Sequence, residues 1–253
     1  MSVNVNVLKV ELPVTNATLD RYMKSTRIAY AMALQALPHQ AQVYDEMAVI
    51  DQASVMNLTL RYMTLADIPQ VVEIDRQSFD TPWSARSYAY EIEESGYSHM
   101  LVLEAEVVRP LNGWKRWLRP LGIASQPTAQ KTILGYGGLW SISGEAHIST
   151  IATHPHWRGR GLGEILLAAM IHRSLDLDAE YIVLEVRVSN RVAQNLYHKY
   201  EFQTVERRPE YYRNNNEDAY DMRLAPLDDA MRQRFYVRWQ HLVDTYQITD
   251  HYK

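Results

Sequence analysis

Arg158-Gly159-Arg160-Gly161-Leu162-Gly163 is the stretch on which the reading of this chain turns. Before it, Ala146 to Thr153 has the character of a β-strand. After it, Leu162, Ile165, Leu166, Ala169 and Met170 recur at the spacing of one face of an amphipathic helix. A strand that passes through glycines into a helix N-terminus builds an anion site. The first helical N–H groups have no acceptor inside the helix, the dipole end is positive, and glycine lets the backbone approach a phosphate closely. Arg158 and Arg160 add positive charge, so a phosphorylated ligand is the expectation. The plainer alternative is a turn that merely tightens a strand-to-helix connection, which requires neither all these glycines nor the arginines.

Two familiar phosphate loops are excluded. No Gly-Lys-Ser/Thr triplet follows Gly159 or Gly161, and Glu164 stands where a dinucleotide fingerprint needs its third glycine. What remains is Arg-x-x-Gly-x-Gly, a cradle the size of one pyrophosphate.

Working outward, Tyr181 to Val188 is an almost unbroken apolar run, as expected of a strand covered on both faces. Glu185 interrupts it, on the face of Val183 and Arg187. A carboxylate there is costly unless it is paired or opens onto a cleft. An ion pair with Arg187 or Arg158 is one such pairing, and a catalytic cleft is the other reading. Ser189-Asn190 then signals a helix start, followed by a stripe of Val192, Ala193, Leu196, Tyr197 and Tyr200. Asn190 and Tyr197 lie on nearly the same helix face. Tyr197 is open to two readings, a functional hydroxyl or a core aromatic.

These segments together resemble the GCN5-related N-acetyltransferase (GNAT) superfamily, and within it the RimI-type ribosomal-protein-alanine acetyltransferases. The resemblance is carried by Thr150-Ile-Ala-Thr-His-Pro, by Arg158 to Gly163, by Leu184-Glu185-Val186-Arg187-x-Ser189-Asn190, by Asn195-Leu196-Tyr197 and by Arg207-Arg208-Pro-Glu-Tyr211-Tyr212. Upstream, Phe79-Asp-Thr-Pro82-Trp83-Ser84 is similar to the family's Phe-Pro-Trp-Ser loop, with Asp80 and Thr81 inserted. The fold class so implied is α/β (α+β), the GNAT fold, a mixed twisted sheet with helices on both faces and splayed central parallel strands.

The resemblance implies acetyl-CoA as co-substrate, with Arg158, Gly159, Arg160, Gly161, Leu162 and Gly163 at its pyrophosphate. Main-chain groups of Ile151, Ala152 and Thr153 would line its pantetheine arm, and Asn190 would also contact it. Glu185 is the implied general base, acting through a water, and Tyr197 the implied general acid. Pro82, Trp83 and a Tyr211-Tyr212 turn would surround the acceptor, the N-terminus of a small-subunit ribosomal protein. Lysine side chains, small-molecule amines and a non-catalytic acyl-CoA-binding role are the alternatives. Glu91, Glu93 and Glu94 are either an attraction for a basic peptide or a solvated helix face.

The chain has 253 residues, 47% of them apolar, and a formal charge of −4, which offers no general reason to expect nucleic acid. It has no cysteine. That excludes a cysteinyl acyl intermediate, so direct attack in a ternary complex is expected, and it suits a cytoplasmic location. Neither a signal peptide nor a membrane span is expected from the hydropathy pattern. His154-Pro155-His156 is read as shaping the turn into the loop, with no metal called for.

Three regions are expected: residues 1–55 as an N-terminal arm or as sequence upstream of a start at Met56, residues 56–224 as the catalytic domain, and 225–253 as a C-terminal helical extension. Strands are expected at Leu58–Tyr62, His99–Glu106 and Thr132–Ile142. Helices are expected after a Thr64-x-x-Asp67 capping box, after Ser84, and over Leu227–Val243. Where the family it resembles usually has a short hairpin turn, residues 107–131 hold Arg109, Lys115, Arg116, Arg119 and Lys131 with Trp114 and Trp117. That insertion is read either as a hook for RNA or an anionic membrane surface, or as a short helix packed on the protein.

Overall fold

A computed structural model describes residues 55–108 and 129–252. The expectations for residues 1–54 and for the insertion between Arg109 and Thr128 lie outside the described residues.

Eight strands form one mixed sheet: β1 (Val55–Tyr62), β2 (Ser98–Val108), β3 (Ala129–Ile142), β4 (Glu145–Thr153), β5 (Tyr181–Arg187), β6 (Gln203–Tyr212), β7 (Glu217–Leu224) and β8 (Thr249–His251). Their order is β6-β7-β5-β4-β3-β2-β1-β8. The pairs β4/β5 and β1/β8 are parallel, and the others are antiparallel. Five α-helices are described: α1 (Ile68–Ser78), α2 (Ala85–Glu93), α3 (Leu162–Asp176), α4 (Arg191–Lys199) and α5 (Asp229–Tyr246). Among the described residues no helix is long and apolar enough to cross a membrane.

The two-residue period of the strands sorts their side chains into two cores. Leu101 and Leu103 of β2 point to the face covered by α3, where they join Leu166, Leu184 and Val186. Met100 and Val102 point to the other face, packed with Val71, Ile74, Tyr88 and Tyr136 under α1 and α2. Helix α3 is buried nearly all round, from Ile165 to Ile171 without a break. A helix apolar on every side needs cover on every side, and α5 supplies the outer layer. Its Phe235, Trp239 and Leu242 are buried in the same core, with the Trp239 ring 5.2 Å from that of His172 on α3.

The Thr64–Asp67 capping box is present, on a 3₁₀ turn (Leu65–Asp67) immediately before α1. The Asp67 carboxylate accepts from the Thr64 amide at 2.8 Å and from Arg61 at 2.7 and 2.8 Å.

Several boundaries differ from the sequence reading. Strands β2 and β3 run further into the insertion, so Lys131 is a strand residue paired with Glu104 at 2.9 Å. It therefore leaves the basic hook. Tyr211 and Tyr212 do not form a turn but end β6, where Glu210 (φ 51°) bulges the ladder. After α5 the chain returns to the sheet as β8, beside β1, a strand too short to show a pattern of its own.

The feature that positions the site is the parting of β4 and β5. Their pairing ends at His147↔Val183, although β4 continues to Thr153 and β5 to Arg187. On its other side β4 remains paired with β3 through Thr153, with Ser149 bulged out between Ile148 and Thr150. A bulge bends and twists its strand. From Ile148 onward β4 therefore turns away from β5 and leaves a wedge bordered by main chain.

Candidate active site

The glycine loop stands at the end of that wedge. A 3₁₀ turn (Pro155–Trp157) leads into it from β4, with the His156 amide donating to His154 Nδ1 at 3.3 Å. Burial, then the nearby charges of His156 and Arg158, lower the His154 pKa to about 4, so the ring stays neutral within this turn. Gly159 (φ 77°) and Gly161 (φ 79°) adopt the left-handed conformation that admits glycine readily. Gly161 is the residue preceding α3, and the Glu164 and Ile165 amides donate back to its carbonyl at 3.0 and 3.2 Å. The Leu162 and Gly163 amides are left without an acceptor inside the helix, at its positive end.

Arg158 Nε donates to the Thr153 carbonyl at 3.1 Å and Nη2 to Ser78 Oγ at 2.8 Å, tying the loop entrance to β4 and α1. The Arg160 guanidinium lies 4.7 Å from the Trp157 ring centre.

Glu185 is 6% exposed and is satisfied by neither arginine. Arg187 instead donates to Glu217 at 2.8 Å and to Asn214 and Asn215 at 2.9 Å, with its guanidinium 3.9 Å from the Tyr212 ring centre. Glu185 Oε2 meets His147 Nε2 at 2.8 Å, and the Glu185 charge, after burial, helps raise the Tyr211 pKa. The His147 ring abuts Trp140 edge-on at 5.5 Å, and Trp140 Nε1 donates to Glu91 at 2.9 Å. Glu91 is thus a buried acceptor and not part of a solvated acidic face, while Glu93 and Glu94 are exposed. Asp221, opposite Glu185 on β7, has its pKa raised by burial, with Arg208 at 2.5 Å opposing the shift and the Glu185 charge adding to it.

Asn190 caps α4, its Oδ1 accepting from the Ala193 amide at 3.2 Å. Its Nδ2 finds no partner, and neither do the Tyr197 hydroxyl or Ser149 Oγ, all three buried. Tyr197 is fully enclosed, and burial, with the nearby Tyr212, raises its pKa well above 10. Buried polar atoms are nearly always partnered. Three orphans on the elements that flank one wedge mark polar sites for a ligand to meet.

The residues expected around the acceptor differ in their exposure. Pro82 is exposed, but Trp83 is buried against Tyr88, with ring centres 5.3 Å apart. The Trp83 amide donates to Asp75, which also accepts from the buried Tyr136 hydroxyl. Tyr211 is half-buried beside Glu185, and Tyr212 is buried and edge-on to it at 5.3 Å. The inserted Asp80 reaches the β6–β7 turn, accepting from Asn214 Nδ2 at 2.7 Å. His147, Asp221 and Asp80 were not singled out from the sequence, because nothing local to each residue announces its partner.

The Acetyltransferase (GNAT) family profile matches residues 68–202, more than half of the chain. The protein belongs to the GNAT acetyltransferase family. A Bacillus subtilis protein provisionally named a ribosomal-protein-bS18 alanine N-acetyltransferase is 36% identical over 160 residues, covering 63% of this chain and 90% of the relative. The N-alpha-acetyltransferase RimI of Mycobacterium tuberculosis is 30% identical over 180 residues, covering 68% of this chain and 96% of its own. In fold, the chain is similar to the ribosomal-protein-S18-alanine N-acetyltransferase of Escherichia coli, with a TM-score of 0.52 at 23% identity, covering 67% of this chain and 94% of that one.

GNAT enzymes take acetyl-CoA as acyl donor, and the residues present fit that molecule. The wedge between β4 and β5 is edged by strand amides and carbonyls that β5 does not pair, as an amide-bearing pantetheine arm requires. The glycine loop at its end can accept a pyrophosphate, since a Cβ added at Gly159 would meet nothing within 4 Å.

Proposed function

We propose that this GNAT enzyme acetylates the N-terminal α-amino group of a ribosomal protein, alanine foremost, by direct attack within a ternary complex. The observation that carries the reading is the Glu185 carboxylate, held by His147 where β4 and β5 part. The names of the relatives support the acceptor assignment, as does Pro82 at the front of the site.

In this reading Leu162 and Gly163 hold the donor's pyrophosphate through their amides, with Gly159 leaving room. Ile151, Ala152 and Thr153 hold the pantetheine arm through the main chain, and Asn190 Nδ2 donates to it. Acetyl-CoA, when bound, supplies an activated acyl carbon and a thiolate leaving group. Glu185 removes a proton from the incoming ammonium through a water, and His147 keeps the carboxylate oriented. Tyr197, a hydroxyl protonated at neutral pH, carries the proton for the departing sulfur. Tyr211 and Pro82 flank the entering peptide, while buried Trp83 supports the loop that presents Pro82. The chain has no cysteine, so the acyl group has no thiol to rest on between donor and amine.

The deciding experiment offers three synthetic peptides with acetyl-CoA: one beginning with a free alanine, the same peptide blocked at its terminus, and one with lysine as its sole amine. Mass spectrometry should locate the acetyl group on the free terminus alone. Acetylation of the lysine peptide at equal rate would move the assignment to side-chain amines, and thioester binding without transfer would make the protein a binding module. Initial rates should give intersecting double-reciprocal lines, whereas parallel lines would exclude the ternary complex.

A further inference from the structure

The C-terminal segment, outside the residues matched by the family, contributes a side chain to the glycine loop. Tyr246, the last residue of α5, donates its hydroxyl to the Arg160 carbonyl at 3.2 Å. The same oxygen occupies the space that a Cβ on Gly161 would fill. We infer that Tyr246 is a positioning residue for the acyl donor, fixing the turn that aims the Leu162 and Gly163 amides at the donor's pyrophosphate. The inference rests on the donor assignment made above.

Two features argue that this contact matters. Besides Arg160 over the Trp157 ring, and Glu164 in the first turn of α3 meeting Lys199 at 2.6 Å and Tyr200 at 3.0 Å, Tyr246 is the side chain that holds the turn's own main chain at its exit. Helix α3 begins after a glycine, so no Ser, Thr or Asp side chain caps it, and glycines in left-handed turns retain the greatest backbone freedom. The entrance is tied down by Arg158 on Thr153 and Ser78, and Tyr246 is the matching tie at the exit. The hydroxyl is also held in place from both directions along the chain. Ahead of it, Phe235, Trp239 and Leu242 bury α5 in the core shared with α3. Behind it, β8 pairs with β1, and the buried Tyr252 donates its hydroxyl to the His99 carbonyl at 2.8 Å. A donor so anchored fixes the loop before any ligand arrives, and preorganisation of this kind lowers the ordering cost of binding.

The test uses the full chain and Tyr246→Phe, which keeps the ring and removes only the hydroxyl. Calorimetry should show acetyl-CoA binding weakened about fivefold, the size of one lost hydrogen bond. In the protein without ligand, amide hydrogen exchange over residues 158–163 should accelerate, a readout independent of turnover. Activity with acetyl-pantetheine, which has no pyrophosphate for the loop to hold, should fall by less than about a factor of two. Unchanged acetyl-CoA affinity, unchanged exchange, or equal losses with both donors would each overturn the inference, the last by making Tyr246 a general structural residue. Failure of the unsubstituted chain to bind acetyl-CoA would remove the donor assignment itself, and that result is seen before any variant is compared.

Discussion

His147 Nε2 lies 2.8 Å from Glu185 Oε2, across the two parallel strands at the last place where they are paired. The His147↔Val183 register puts Glu185 two residues beyond the partner of His147, on the same face of β5. The contact thus spans the origin of the wedge, with the imidazole hydrogen-bonded to a nearly buried carboxylate.

Glu185→Gln should lower kcat by about 10²- to 10⁴-fold with the acetyl-CoA KM nearly unchanged, the range expected for loss of a general base. His147→Gln, which can still hydrogen-bond the carboxylate, should lose less than His147→Phe, which cannot. Steady-state kinetics on the N-terminal alanine peptide checks both, and full turnover by Glu185→Gln would remove this carboxylate from the chemistry.

Tyr197→Phe separates catalysis from folding. The hydroxyl is buried without a partner, so its removal sacrifices no protein hydrogen bond and should leave the melting temperature level or slightly higher. Turnover should still fall about 10²-fold or more if this hydroxyl delivers the proton. A variant that melts earlier and turns over normally would make the residue a packing aromatic.

Stability should decline in alkali. Burial raises the pKa values of Tyr88, Tyr136, Tyr197 and Tyr252 well above the ordinary 10. Each folded-state pKa lies above its unfolded value, so the folded protein retains protons that the unfolded chain gives up. Their stabilisation is complete below about pH 10 and is lost as pH rises beyond it. Melting temperatures at pH 8 and pH 10.5, with phenolate absorbance recorded in parallel, should show a lower transition at the higher pH and a set of tyrosines that ionise only on unfolding.

The acid limb has a different source. Burial alone would raise the Glu217 pKa, but hydrogen bonds from Ser189, Arg187 and Asn215 outweigh it and hold the value at about 2, against an ordinary 4.5. A depressed pKa contributes stability that is present above about pH 4.5 and disappears as pH falls towards 2. Between pH 6 and pH 3 the native protein should therefore lose more denaturant resistance than Glu217→Gln does. Parallel losses would show that the contact between Ser189 and β7 is not governed by this carboxylate.

The two loop glycines should differ in their tolerance of alanine. Gly159→Ala meets no neighbour and should cost about 1–2 kcal/mol, the strain of a left-handed residue. Gly161→Ala bears the same strain and must also displace the Tyr246 hydroxyl, so it should melt at the lower temperature. Equal melting temperatures would mean that Tyr246 yields freely.

How much was legible beforehand depended on whether the signal was local. The strand, glycine turn and helix around Arg158–Gly163 announced themselves because glycine conformational freedom and a helical stripe are properties of consecutive residues. Glu185 stood out for the same reason, as a charge inside an apolar run. Trp83 was legible only as part of a front-loop motif, and its packing on Tyr88 with the hold of Asp75 on its amide, which turn the ring into the core, was not. Tyr211 and Tyr212 were recognised as a pair but not as the end of a strand, since the bulge at Glu210 breaks the alternation that would have revealed it.

The sequence by itself determined the run of strand, glycine turn and helix around Arg158–Gly163, and the choice of Glu185 and Tyr197 as the residues to test, but it did not announce β6 and β7. Only the tertiary structure decided that His147 rather than an arginine meets Glu185, that Arg158 serves as a tie, that Glu91 is a buried acceptor, and that Tyr246 closes on the loop. The physical reason is register. A side chain's periodicity tells which face it occupies, but its partner depends on how separate strands and helices align across the sheet. That alignment is settled by packing between residues far apart in the chain.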